Sequence, residues 1–164
     1  MADVTYYFNS YDVGTAWTTN PENMVDGDVD TFAGWEASTV EQLNDGNTCP
    51  GTNLGTITKV ELRLFGKISG GASQFWLTPA FSGGDGDVHN LGSISFSGDW
   101  SSWEDITSDT NAPGSWSWSD VSSLDCLVTA IENGGSCMAS KLEIKVTYTA
   151  AGPTMKQSNS YTYY

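Results

Sequence analysis

The sequence predicts an all-β protein: one sandwich of about eight antiparallel strands. Three observations carry that expectation. Apolar residues alternate with period two wherever the chain shows a pattern, which marks strands with one buried face. Turn signals such as Ser69-Gly70-Gly71, Asn111-Ala112-Pro113-Gly114 and Asn133-Gly134-Gly135 separate those runs at the spacing of a sandwich. No segment carries a long apolar stripe at helical spacing, so helix content is small.

The first strand falls at 4–8 and a second lies around Trp35, over 35–40. Residues 57–65 alternate most clearly: Val60, Leu62 and Leu64 form one face, and Ile57, Lys59, Glu61, Arg63 and Phe65 the other. Further strands are expected at 73–80, 91–96, 103–107, 124–131 and 141–149. Residues 119–124 make at most one helical turn. In Ser115-Trp116-Ser117-Trp118-Ser119 the two rings share a face if the chain is extended there.

A chain of 164 residues suits one domain with a sizeable core. That domain is expected over 1–150. Residues 151–164 are polar and tyrosine-ended with no core pattern, and read as a tail or linker that could add a strand to a neighbour.

Charged residues make up 16% of the chain, against about 25% in an ordinary domain. The net charge is −14, and Arg63 is the sole arginine. Nucleic acid and anionic membranes are bound through clustered Lys and Arg, so both are excluded as partners. No run reaches the roughly 18 apolar residues of a membrane span, and MADVTYYF lacks the basic and apolar regions of a signal peptide. Cys49, Cys126 and Cys137 show no CxxC spacing, which argues against zinc. A Cys126–Cys137 bridge across a hairpin, with Cys49 free, is one reading open to the sequence.

The stretch NMVDGDVDTF, residues 23–32, sets Asp26, Asp28 and Asp30 at alternate positions. Alternating carboxylates can supply hard oxygens to calcium, which takes about six to eight. An EF-hand fails, because the sixth position is Thr31 rather than Gly and the twelfth is Ala37 rather than Glu. The other reading is a tight turn at Asp26-Gly27 with solvated aspartates. Asp85 and Asp87, in a Gly-rich loop, form a weaker second candidate.

Asn-x-x-Asp-Gly-Asp-x-x-Thr-Phe followed by Trp35 resembles the early loop of discoidin-type (coagulation-factor C-domain) modules and their galactose-binding-like relatives. Residues 57–64 resemble the central strand of that family and 142–146 its closing strand. The resemblance implies a jelly-roll sandwich holding a structural Ca2+. Its implied ligands are Asn23, Asp26, Asp28 and Thr31, with Glu143 arriving from the last strand.

Carbohydrate sites need aromatic faces and a few polar groups. Trp100, Trp103, Trp116 and Trp118 are the candidate platform, with His89 as the one imidazole, while Trp17 and Trp35 flank the aspartate loop. The His and Arg residues of sugar-binding relatives are not matched, since Arg63 lies inside a strand. No nucleophile elbow accompanies His89, so an enzyme is not expected.

Two functions follow. The first is a non-catalytic surface binding or adhesion module for a glycan or surface protein, stabilised by calcium. The second is a structural protein of a virion or extracellular assembly: a capsid decoration, tail appendage or filament subunit, self-associating through the tail. The stretch from Trp103 to Pro113 and Trp118, with the closing Glu-Ile-Lys-Val-Thr-Tyr strand, resembles phage structural proteins. Either function places the protein extracellularly or on a virion surface.

Overall fold

The computed structural model describes residues 1–34, 39–92 and 94–151. In chain order its strands are β1 (Ala2–Ser10), β2 (Ala33–Gly34), β3 (Val40–Asn44), β4 (Gly46–Asn47), β5 (Gly55–Ile68) and β6 (Gln74–Phe81). There follow β7 (Gly84–Asp85), β8 (His89–Gly92), β9 (Asp99–Trp100), β10 (Glu104–Asp105), β11 (Asp125–Ile131) and β12 (Cys137–Ala150). A 3-10 turn spans Pro21–Met24, and one short helix, α1 (Trp118–Ser122), precedes β11.

The larger sheet runs β10-β5-β12-β1-β4, with β2 on β12 and β9 on β5; the smaller runs β3-β11-β6-β7, with β8 on β6. Every named pairing is antiparallel. Keeping β10, which forms the edge of the larger sheet, and setting aside the other two-residue pieces β2, β4, β7 and β9 leaves eight strands. One sheet then reads sixth, third, eighth, first and the other second, seventh, fourth, fifth. That interleaving is a jelly roll, so the chain's two ends meet in one sheet, where β1 pairs β12 over Ala2–Tyr7.

The core is what the alternation predicts. Val60, Leu62 and Leu64 of β5 and Leu142, Ile144 and Val146 of β12 are fully buried against Phe75, Leu77, Val128 and Ala130 of the smaller sheet. Trp17 stacks on Phe75 with centroids 6.2 Å apart, which makes it a core residue. Gln42 and Asn44 are buried polar groups with partners: Gln42 Nε2 donates to Pro21 O and Asn44 Oδ1, and Asn44 Nδ2 reaches Cys126 O.

Two bulges shift the predicted register. In β5, Lys59 faces Thr147 but Ile57 faces Tyr148, so Thr58 is the extra residue. Ile57 therefore packs on the core rather than sharing the face of Lys59. In β12 the extra residue is Ser140, between Ala139 and Lys141. The strand expected at 91–96 stops at Gly92, where φ is +66, and Phe96 stands 75% exposed in a turn. The strand expected at 103–107 shrinks to Glu104–Asp105. Trp35 and the predicted start of its strand, like 152–164 of the expected tail, lie outside the described residues.

Candidate functional site

The aspartate loop is closed by its own hydrogen bonds. Asp26 Oδ1 accepts from Asp28 N at 2.8 Å and Asp26 Oδ2 from the Thr31 hydroxyl at 2.6 Å. Asp28 Oδ1 accepts from Asp30 N, and Asn23 Nδ2 donates to Phe32 O. Gly27 holds φ +80 with its Cα against the Tyr7 ring, where a Cβ would come within 2.9 Å of the ring edge. The link to the closing strand is Ser140, whose buried hydroxyl donates to Asp28 O at 2.8 Å. Sequence reasoning missed Ser140, because a bulge has no period-two signature.

Glu143 does not join that loop. Its Oε2 accepts from Arg63 Nε at 2.9 Å and Arg63 Nη2 at 2.7 Å, while Oε1 lies 3.4 Å from Lys141 Nζ. Among the described residues, no three His, Cys, Asp or Glu side chains gather round one point. Glu143, the ligand the resemblance implies from the closing strand, is thus engaged by Arg63 and Lys141 rather than by the aspartate loop. Asp85 and Asp87 likewise face Asn111 and Thr110: Asn111 Nδ2 donates to Asp85 O and the Thr110 hydroxyl to Asp87 Oδ1.

The four tryptophans of the predicted platform part into two pairs. Trp100 and Trp103 lie over the outer face of the larger sheet, where the Arg63 guanidinium sits 3.9 Å from one ring centroid and 4.2 Å from the other. Lys145 Nζ is 4.3 Å from the Trp103 ring as well. Trp116 and Trp118 lie at one end of the sandwich. Trp118 belongs to the core and donates Nε1–H to Gly55 O, because Ser117 caps α1 and starts the one helical turn there, so the chain is not extended through both rings. His89 joins neither pair: Nε2 is 2.7 Å from Asp109 Oδ2 and Nδ1 3.7 Å from Glu104 Oε2.

The outer face of the larger sheet gathers the chain's cations. Lys59, Arg63 and Lys67 project there from β5, and Lys141 and Lys145 from β12. All but Lys67 are laced to Glu61 and Glu143 between them, which are 6% and 8% exposed. Glu61 is bridged from both sides at 2.7 Å, by Lys59 and by Lys145. Burial would raise the Glu61 carboxyl, but the hydrogen bonds from Lys145 and Lys59 outweigh it and hold the group below its usual range. Rings complete the lattice: Lys67 lies over Phe32 at 3.9 Å, and Phe65 meets Trp100 edge to face at 5.2 Å.

The cysteines do not bridge. Cys49, Cys126 and Cys137 are free and buried. Burial pushes the Cys137 thiol up to about 12 and Cys126 well above its ordinary range, which disfavours the thiolate of both.

No family model and no curated protein matches the chain, which leaves the galactose-binding-like resemblance a likeness of motif. Among solved structures, that of the infectious bursal disease virus Gx strain is similar at 10% identity and TM-score 0.42, over 90% of this chain and 32% of that one. Dimeric latent PorU from Porphyromonas gingivalis is similar at 9% identity and TM-score 0.37, over 88% of this chain and 12% of that one. The T13 infectious bursal disease virus particle is similar at 6% identity and TM-score 0.34, over 90% and 31%. The chain thus spans at most about a third of these structures' chains. Among the described residues, no helix is long and apolar enough to cross a membrane.

Proposed function

We propose that this jelly roll is a non-catalytic structural subunit of a virion or other extracellular assembly, and that it meets a second copy of itself through the outer face of its larger sheet. The observation that supports this is the segregation of charge. Of six basic residues, Lys59, Arg63, Lys67, Lys141 and Lys145 share that face, and the sixth, Lys156, lies outside the described residues. Register places Asp3, Glu61, Asp105 and Glu143 on the same side, so the strand positions of the face sum to +1, with the aspartate loop seated at its edge against Tyr7 and Phe65. The other sixteen acids, with Lys156, leave the rest of the chain at −15.

A molecule so acidic repels its copies wherever two acidic surfaces meet. A face that gathers five cations offsets that repulsion and suits the acidic surface of a neighbour. Two different patches then meet, which is a heterologous contact, and heterologous contacts propagate into rings, shells or filaments. The cross-bracing also leaves little side-chain freedom to lose on contact.

Sedimentation velocity of the full chain across protein concentration tests this. Assembly is expected at low salt and should dissolve as the screening length falls from about 10 Å at 0.1 M to about 3 Å at 1 M. The Lys67→Gln/Lys59→Gln variant should remain monomeric under the same conditions. A wild-type chain that is monomeric at every concentration, or an assembly the variant retains, refutes the proposal.

A further inference from the structure

The structure points to a second site, at the end of the sandwich opposite in character to the charged face. A groove of about 400 Å³ runs between residues 51–56, where β5 begins, and residues 116–119, where the chain enters α1. That volume is within the roughly 300–1,000 Å³ of small-ligand sites. Its walls are fastened together, because Trp118 Nε1 donates across to Gly55 O at 2.8 Å. Trp116 is fixed in the wall by Nε1–H to Thr107 O at 3.0 Å and by an edge contact with Phe81.

The lining carries no charged side chain, in a chain with twenty acids. The nearest acid in sequence, Asp120, has its carboxylate occupied by Ser117 N and Oγ at 2.8 and 2.6 Å. What remains is an indole and neutral hydrogen-bonding groups. Asn53 Oδ1 accepts from Gly55 N, which orients the side chain and leaves its exposed amide NH2 without an acceptor among the described residues. The hydroxyls of Thr56 and Ser119 also have no partner among the described residues.

We propose that this groove binds a short neutral glycan. A sugar presents C–H faces that pack on an indole and hydroxyls that pair with amide and hydroxyl groups, and a neutral one brings no charge to desolvate. Anionic sugars and acidic peptides would meet the field of a −14 molecule with no cation in the groove to offset it. The inference does not rest on the assembly reading, and each fails on its own experiment.

The full chain, kept monomeric by salt, is screened on a glycan array of neutral and anionic oligosaccharides, and the neutral hits are titrated by tryptophan fluorescence. Two variants keep the fold testable. Asn53→Asp retains the acceptor for Gly55 N but removes the amide donors, and Ser119→Ala removes one hydroxyl. Each should weaken a neutral hit about three- to tenfold with the melting temperature unchanged. The proposal is overturned if no neutral oligosaccharide binds, if sialylated or sulfated glycans bind as well as neutral ones, or if neither variant alters affinity.

Discussion

Arg63 is the residue whose removal says most about the charged face. Its guanidinium lies between two indoles and donates twice to Glu143, with the two side chains 25% and 10% exposed. Arg63→Ala therefore strands a nearly buried carboxylate. Removing one partner of a fully buried pair costs about 3–5 kcal/mol. The cost is smaller here, about 2 kcal/mol, because Arg63 is partly solvated and Lys141 still lies 3.4 Å from Glu143. Two cation–π contacts add about 0.5 kcal/mol each. The expected total is about 3 kcal/mol, which in a chain of this size lowers the melting temperature by about 6–12 °C. Arg63→Met/Glu143→Met keeps apolar packing between the indoles and leaves no charge unpaired, so it should lie within about 1 kcal/mol of wild type. Urea denaturation of the two single variants and the double gives the coupling energy directly. Single variants that each cost under about 1 kcal/mol and add to the double would make this an ordinary surface pair and remove the argument for a braced face.

The remaining predictions concern the loop, acid stability and the thiols. Melting in EDTA and in millimolar calcium should coincide, and Asp26→Ala should cost about 1–2 kcal/mol in both by freeing Asp28 N and the Thr31 hydroxyl; a calcium-dependent rise that Asp26→Ala abolishes would establish the metal loop instead. The Glu61 carboxyl lies below its ordinary 4.5 when folded, so its contribution is present above that pH and lost as pH falls through the lower folded value. Glu61→Gln should accordingly flatten the acid limb of a stability–pH curve, and an unchanged limb would contradict it. Burial and Asp45 push Asp125 above 3.8, so its contribution is present below that pH and lost as pH rises; Asp125→Asn should stabilise at pH 7 in the same denaturation assay. A thiol reagent should find no rapidly reacting Cys126 or Cys137 in the native protein and all three thiols in urea, whereas a disulfide in mass analysis would overturn the packing described for them.

The core of this fold was legible because Val60, Leu62 and Leu64 face one way and their neighbours the other, and so do Leu142, Ile144 and Val146. Period-two patterning fixes which face of a strand is buried. It is silent on where a strand takes an extra residue, which is why Ile57 was assigned to the wrong face and Ser140 went unnoticed as the anchor of the aspartate loop. The jelly-roll order was legible only through a family resemblance that the comparisons leave without a matching model. The tryptophans misled for a different reason: closeness in sequence does not distinguish Trp118, turned inward by the Ser117 cap, from Trp103, laid over a sheet.

The charged face shows where residue-by-residue reading stops. Lys59, Glu61 and Arg63 were read correctly as one side of a strand, and a polar side facing water is the ordinary expectation. What turns that side into a surface of its own is the register of β12 beside β5, which sets Glu143 opposite Arg63 and Lys145 opposite Glu61. Each carboxylate thereby gains cations from two strands, and the segment carrying Trp100 and Trp103 can close over charges that are already neutralised. No single strand encodes that arrangement. It arises only when the third and eighth strands of the jelly roll lie side by side, so a variant that slips the Ser140 bulge by one residue should cost the face its ion pairs as well as the loop its anchor.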